Sequence, residues 1–112
     1  MAIEFEQSDQ LTVVRVRTQR LDAATAPSLK TKLGQKLDQG ARRIVMDLSE
    51  VELLDSTGLG SLLSILKRIP PEGRFVLAGC GPSVMELMKL TRLDRVLQFY
   101  PDTETAAKAI AV

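Results

Sequence analysis

Residues 44–66 read IVMDLSEVELLDSTGLGSLLSIL, and this stretch decides the fold. It opens on Ile44-Val45-Met46, an apolar run short and β-branched enough for a buried strand. It closes on Leu59, Leu62, Leu63 and Leu66, with Ile69 beyond, at helical spacing. Between the two lies Asp55-Ser56-Thr57-Gly58-Leu59-Gly60. A small hydroxyl residue just before an apolar helix is a good N-cap, because its oxygen accepts an orphan backbone N–H; Ser56 is expected to take that position. Asp55 suits the positive end of the helix dipole. Gly58 and Gly60 need another explanation, since each costs about 1 kcal/mol relative to Ala inside a helix. Glycine beside Ser56 removes side-chain bulk and lets another backbone approach. The combination suggests a docking surface centred on the Ser56 hydroxyl; the simpler reading is that Ser56 only caps the helix.

Upstream, residues 3–6 alternate apolar and charged, and Leu11–Val16 forms a second strand, with turn chemistry at Ser8-Asp9-Gln10 between them. Val14 and Val16 share one face of that strand; Arg15 and Arg17 share the other and, with Arg20, are expected to face solvent. Residues 21–27 open a helix, with Asp22 expected as its N-cap and Pro27 tolerated in its first turn. Ala26, Leu29, Leu33 and Leu37 form its apolar stripe, and Gly40 stops it. Downstream of the central helix, Pro70-Pro71 is a stop and Arg74–Ala78 is another strand. A third helix starts near Pro82 with Val84, Leu87 and Met88 facing inward, Met85 and Met88 being core filler. Residues 96–99 form a last strand, and Asp102 caps an Ala-rich helix ending at Ile110. The order is β-β-α-β-α-β-α-β-α. Alternating helices and apolar strands imply an α/β fold: a mostly parallel five-stranded sheet with an antiparallel N-terminal edge strand and four helices.

Composition narrows the chemistry. The chain has 112 residues, near the common size of one domain, so a single domain over residues 1–112 is expected. A net charge of +1 with no basic run does not suggest nucleic-acid or anionic-membrane binding. No apolar run approaches the roughly 20 residues needed to span a bilayer. The acidic start MAIEFEQSDQ lacks a signal-peptide pattern, so a cytoplasmic location is expected. The sequence contains no histidine, which removes Ser-His-Asp triads and His metal sites together. Cys80, the single cysteine, forms no intrachain disulfide and is expected to be a buried structural thiol. Neither a metal nor a cofactor is expected.

Two catalytic or ligand-binding readings of the central stretch are weak. Ser56 as a nucleophile needs a base within hydrogen-bond reach, and the surrounding sequence is not a G-x-S-x-G elbow. Gly58-Leu59-Gly60 lacks the third glycine of a dinucleotide fingerprint, where Leu63 stands, and the Gly-Lys-Ser/Thr of a phosphate loop. Asp22 and Asp55 around a phosphate would repel it unless a metal intervened.

At Asp55-Ser56-Thr57-Gly58-Leu59-Gly60 the sequence resembles the STAS domain family, and within it the bacterial anti-sigma factor antagonists. Leu21-Asp22 with Thr25 and Ala26 is similar to the start of that family's first helix, Val45-Met46-Asp47-Leu48 to its third strand, and Gly81-Pro82 lies near its proline before the third helix. The resemblance covers nearly the whole chain. It departs at Gln19 and Arg20, where the family often has a Gly before Leu-Asp, and at Thr91-Arg92-Leu93, where it often has Ser-Gly-Leu.

The resemblance implies a non-enzymatic switch protein. Unphosphorylated, it would bind an anti-sigma factor that is also a serine kinase and so free the sigma factor. Phosphorylation of Ser56 by that kinase would end the interaction, and a metal-dependent serine phosphatase would restore it. Asp22, Asp55, Thr57, Gly58 and Gly60 would belong to the surrounding partner surface. The other reading is a STAS module serving as a soluble subunit or scaffold of a transport or signalling assembly.

Overall fold

The computed structural model describes residues 2–111; Met1 and Val112, the ends of the expected domain span, lie outside them. Strand β1 (Ile3–Ser8) turns at Asp9 and Gln10 into β2 (Leu11–Val16), and the two pair antiparallel with Ile3 opposite Val16. Asp9 takes a left-handed φ of 52°, which Asp tolerates in a tight turn. Strands β4 (Arg43–Asp47), β6 (Arg74–Ala78) and β7 (Gln98–Tyr100) continue the sheet in parallel, in the order β1-β2-β4-β6-β7. Helices α1 (Ala26–Asp38), α2 (Ser56–Arg68) and α3 (Pro82–Leu90) connect these strands, and α4 (Thr103–Ile110) follows the last. The expected α/β class, five-stranded sheet, antiparallel edge and four helices are all present.

Strand alternation places the core on both faces of the sheet. Val14, Val16, Ile44, Met46 and Leu77 point to the face where Leu29, Leu33, Leu62 and Met88 bury. Val13, Val45, Val76 and Ala78 point to the other face, where Ala106 and Ile110 of α4 cover them. Leu97, just before β7, joins the first cluster. The arginines beside Val13 are not simply solvated. Arg15 pairs with Glu6 at 2.6 Å and Asp47 at 3.6 Å, and Arg17 pairs with Glu4 at 3.0 Å and Glu50 at 2.5 Å. The exposed pairs among these are screened by solvent and add little to stability.

Several local expectations need correction. Helix α1 begins at Ala26 rather than after Asp22. Residues 22–25 form a turn in which the Asp22 carbonyl accepts the N–H groups of Thr25 and Ala26, at 3.1 and 2.8 Å. The buried face of α2 is centred on Gly58, Ser61, Leu62 and Ile65, while Leu63 is half-buried. Leu87 of α3 is also half-buried, with Val84 and Met88 carrying that helix's contact. A 3₁₀ turn (Leu93–Arg95), entered through Arg92 at φ 61°, delays the last strand to Gln98–Tyr100. Cys80 is half-buried against the main core rather than fully enclosed.

Two further strands escaped the sequence because each has only two residues. They are β3 (Arg20–Leu21) and β5 (Leu53–Leu54), paired parallel as a separate small sheet, Arg20 opposite Leu53 and Leu21 opposite Leu54. This pair brings the start of the α1 segment against the start of α2. Leu21 and Leu54 point into the core, and Arg20 and Leu53 point outward.

Candidate functional site

Asp55, not Ser56, caps α2. Asp55 has extended backbone, its Oδ1 accepts the Gly58 N–H at 2.8 Å, and its carbonyl accepts the Leu59 N–H at 2.9 Å. A carboxylate is the better cap here, because it satisfies an orphan donor and also opposes the positive end of the helix dipole. Ser56 is consequently the first helical residue, exposed, and its hydroxyl has no hydrogen-bond partner among the described residues. Thr57, next along, is exposed as well.

The two glycines serve different ends. A Cβ on Gly58 would stand 2.2 Å from the Leu21 carbonyl oxygen and 2.7 Å from Leu54 Cδ1. Gly58 is therefore required by the chain's own β3–β5 ladder crossing the helix start, not by an incoming partner. Ser61, one turn on and buried, donates its hydroxyl to the Gly58 carbonyl at 2.6 Å and tightens the same turn. A Cβ on Gly60 meets nothing within 4 Å. Gly60 is exposed and, with Thr57, Lys30 and Ser64, lines a groove of about 440 Å³ between α1 and α2.

Asp22 and Asp55, 33 positions apart in the chain, line one shallow depression of about 220 Å³ together with Arg20, Leu53 and Leu54. The half-buried Asp22 is held by its own turn: its Oδ1 accepts the Ala24 N–H at 3.0 Å, and its N–H donates to Thr25 Oγ1 at 3.0 Å. Thr25 Oγ1 in turn donates to the Arg20 carbonyl at 3.0 Å, which locks the turn to β3. The predicted residues therefore fall into two lobes on either side of Ser56. Asp22 and Asp55 stand with the β3–β5 depression, Thr57 and Gly60 with the α1–α2 groove, and Gly58 lies beneath. Arg20, which the sequence offers only as a solvent-facing charge, also lines these lobes, as do Leu53 and Lys30. Only the β3–β5 pairing reveals the first two, and that pairing leaves no periodic trace.

The arrangement limits the chemistry available. No group of three or more His, Cys, Asp or Glu that could hold a metal occurs among the described residues. The Asp55 carboxylate occupies the place at the helix N-terminus where a nucleotide phosphate would otherwise sit, against the Gly58 N–H. No helix among the described residues is long and apolar enough to cross a membrane.

A model of the STAS domain matches residues 2–106. The crystal structure of an anti-sigma factor antagonist from Mycobacterium paratuberculosis superposes with a TM-score of 0.88 at 31% identity, covering 96% of this chain and 92% of that one. An anti-sigma-factor antagonist (STAS) domain protein from Planctomyces limnophilus gives 0.87 at 29% identity, covering 99% of both chains. The anti-sigma-B factor antagonist of Staphylococcus aureus is 29% identical over 103 residues, 91% of this chain and 94% of its own.

Proposed function

This chain belongs to the STAS domain family, and we propose that within it the protein works as an anti-sigma factor antagonist switched at Ser56. In the unphosphorylated form it binds an anti-sigma factor serine kinase and releases the sigma factor. Phosphorylation of Ser56 ends that binding, and a metal-dependent serine phosphatase reverses it, all in the cytoplasm. The names carried by relatives that align along most of this chain support the antagonist role. The observation that carries the switch is the state of Ser56: an exposed hydroxyl at the first position of α2, without a hydrogen-bond partner among the described residues, with capping left to Asp55.

The physics of the switch is local. A phosphate adds about −1.5 to −2 charge at pH 7. At Ser56 it stands next to Asp55 and beside the depression shared with Asp22. A kinase surface built to meet two carboxylates and a small hydroxyl then meets extra negative charge and bulk at a point it must desolvate. The fold carries the phosphate without rearrangement, because Ser56 is exposed and the cap hydrogen bond of α2 is made by Asp55. Thr57, Gly60 and Asp22 form the remainder of the contact surface, with Gly58 supporting it from below.

The test is incubation with purified serine kinases of the source organism and ATP, followed by phosphopeptide mapping. The expected product carries phosphate on Ser56. Phosphate on Thr57 alone, or none with any of these kinases, would overturn the assignment.

A further inference from the structure

Outside the residues already assigned to the surface, the outward side of the β3–β5 pair stands out. Strand alternation and the Arg20–Leu53 register put two residues side by side facing solvent, while Leu21 and Leu54 beneath them are buried. Leu53 is 55% exposed although a fixed ladder holds its backbone. The guanidinium of Arg20 makes no ion pair among the described residues, although Asp22 and Asp55 line the same depression. Both carboxylates are partly committed to backbone N–H groups, Asp22 to Ala24 and Asp55 to Gly58. A leucine and an arginine with no ion pair among the described residues are thus presented rigidly, two residues along each strand from Asp22 and Asp55, in the depression that Asp55, the neighbour of Ser56, also lines.

We propose that this face is the body of the kinase-docking surface, with Leu53 as its apolar anchor and Arg20 as the residue that selects the kinase. The inference rests on the function proposed above and names the chemistry of the partner: an apolar recess that takes Leu53, with an acidic group placed opposite Arg20. Ser56 lies at one edge of this contact, so its phosphate interferes with an interface whose attraction comes largely from beside it. An apolar anchor buried on association contributes through desolvation, whereas the surrounding charges set orientation and exclude mismatched partners.

The test uses the full chain and the purified serine kinase that phosphorylates Ser56, loaded with ADP, with affinities measured by calorimetry. Leu53→Ser is expected to weaken binding by about tenfold or more, as truncation of an interface anchor does. Leu90→Ser removes a leucine that is 75% exposed on α3, and is expected to bind as wild type. Arg20→Glu should weaken binding more than Arg20→Ala, because reversal adds repulsion where removal only deletes attraction. Thermal melts should be unchanged for all four variants; should Leu53→Ser fail to fold, the Arg20 pair decides alone. Wild-type affinity in Leu53→Ser, or equal affinities in Arg20→Glu and Arg20→Ala, overturns the docking face. If phospho-Ser56 still abolishes binding in that case, the switch survives and only this inference falls. If no kinase modifies Ser56, the proposed function falls first and takes this inference with it.

Discussion

The Asp55 carboxylate accepts the Gly58 N–H at 2.8 Å, and this one hydrogen bond separates the structural role at the start of α2 from the chemical one. Asp55 holds the helix end; the Ser56 hydroxyl beside it has no hydrogen-bond partner among the described residues. Loss of the Asp55 side chain in Asp55→Ala should therefore cost about 0.5–2 kcal/mol, the usual range for a lost cap. Ser56→Ala should stay within about 0.5 kcal/mol of wild type, as exposed substitutions usually do. Urea unfolding of the two variants distinguishes the roles. Equal losses would mean that Ser56 shares the cap.

Gly58→Ala and Gly60→Ala should move stability in opposite directions. At Gly58 the added methyl meets the Leu21 backbone oxygen, which has no rotamer to escape into. The expected cost is about 1–3 kcal/mol, the range for overpacking. At Gly60 the methyl points into open space, and the helix should gain up to about 1 kcal/mol from propensity. Denaturant midpoints check the pair. A neutral Gly58→Ala would show that β3 and α2 are not in close contact.

The Gly58 result explains part of what was readable in the sequence. The apolar run at Ile44-Val45-Met46 and the leucines after Asp55 gave the central strand and helix, because several residues at a fixed period bury together. Leu21 to Pro27 reads as the start of a helix because Asp22 has the chemistry of a cap, which here it applies to a turn. The β3–β5 ladder has two residues per strand, too short for any periodicity, so the long-range contact explaining Gly58 could not be read locally. The same gap hid Leu53 and Arg20. The sequence locates the cap of α2 to within one residue, since Ser and Asp are both good caps and only geometry distinguishes Ser56 from Asp55.

Cys80 should resist alkylation near neutral pH. Burial, with the Asp47 carboxylate as a secondary cause, pushes its thiol up from 9.0 to about 11, so little thiolate exists to react. The raised pKa also has a sign for stability. Above about pH 9 the unfolded chain releases this proton while the folded chain retains it, so the thiol's contribution is complete below pH 9 and is lost as pH rises towards about 11. Cys80→Ser should reduce the steepness of alkaline destabilisation across that window, as followed by denaturant midpoints at stepped pH. Rapid iodoacetamide labelling of the native protein at pH 7.5 would contradict the assignment.

The switch itself predicts that charge at Ser56 acts on binding and not on folding. Ser56→Ala should remain folded and keep its hold on the kinase, an always-on form. Ser56→Asp should also remain folded but bind more weakly, with a defect smaller than that of phosphate, because it adds about half the charge and less bulk. Thermal melts run beside affinity titrations check this, and an unfolded Ser56→Asp would return the serine to a purely structural role.

The most direct measurement compares the unmodified protein with the same protein phosphorylated stoichiometrically on Ser56, each titrated against the kinase by calorimetry, with circular dichroism recorded on both. The two forms should have superimposable spectra and melting curves, and only the unmodified form should bind. Equal binding by both forms, or a phosphorylated form that has lost its fold, would contradict the switch at Ser56.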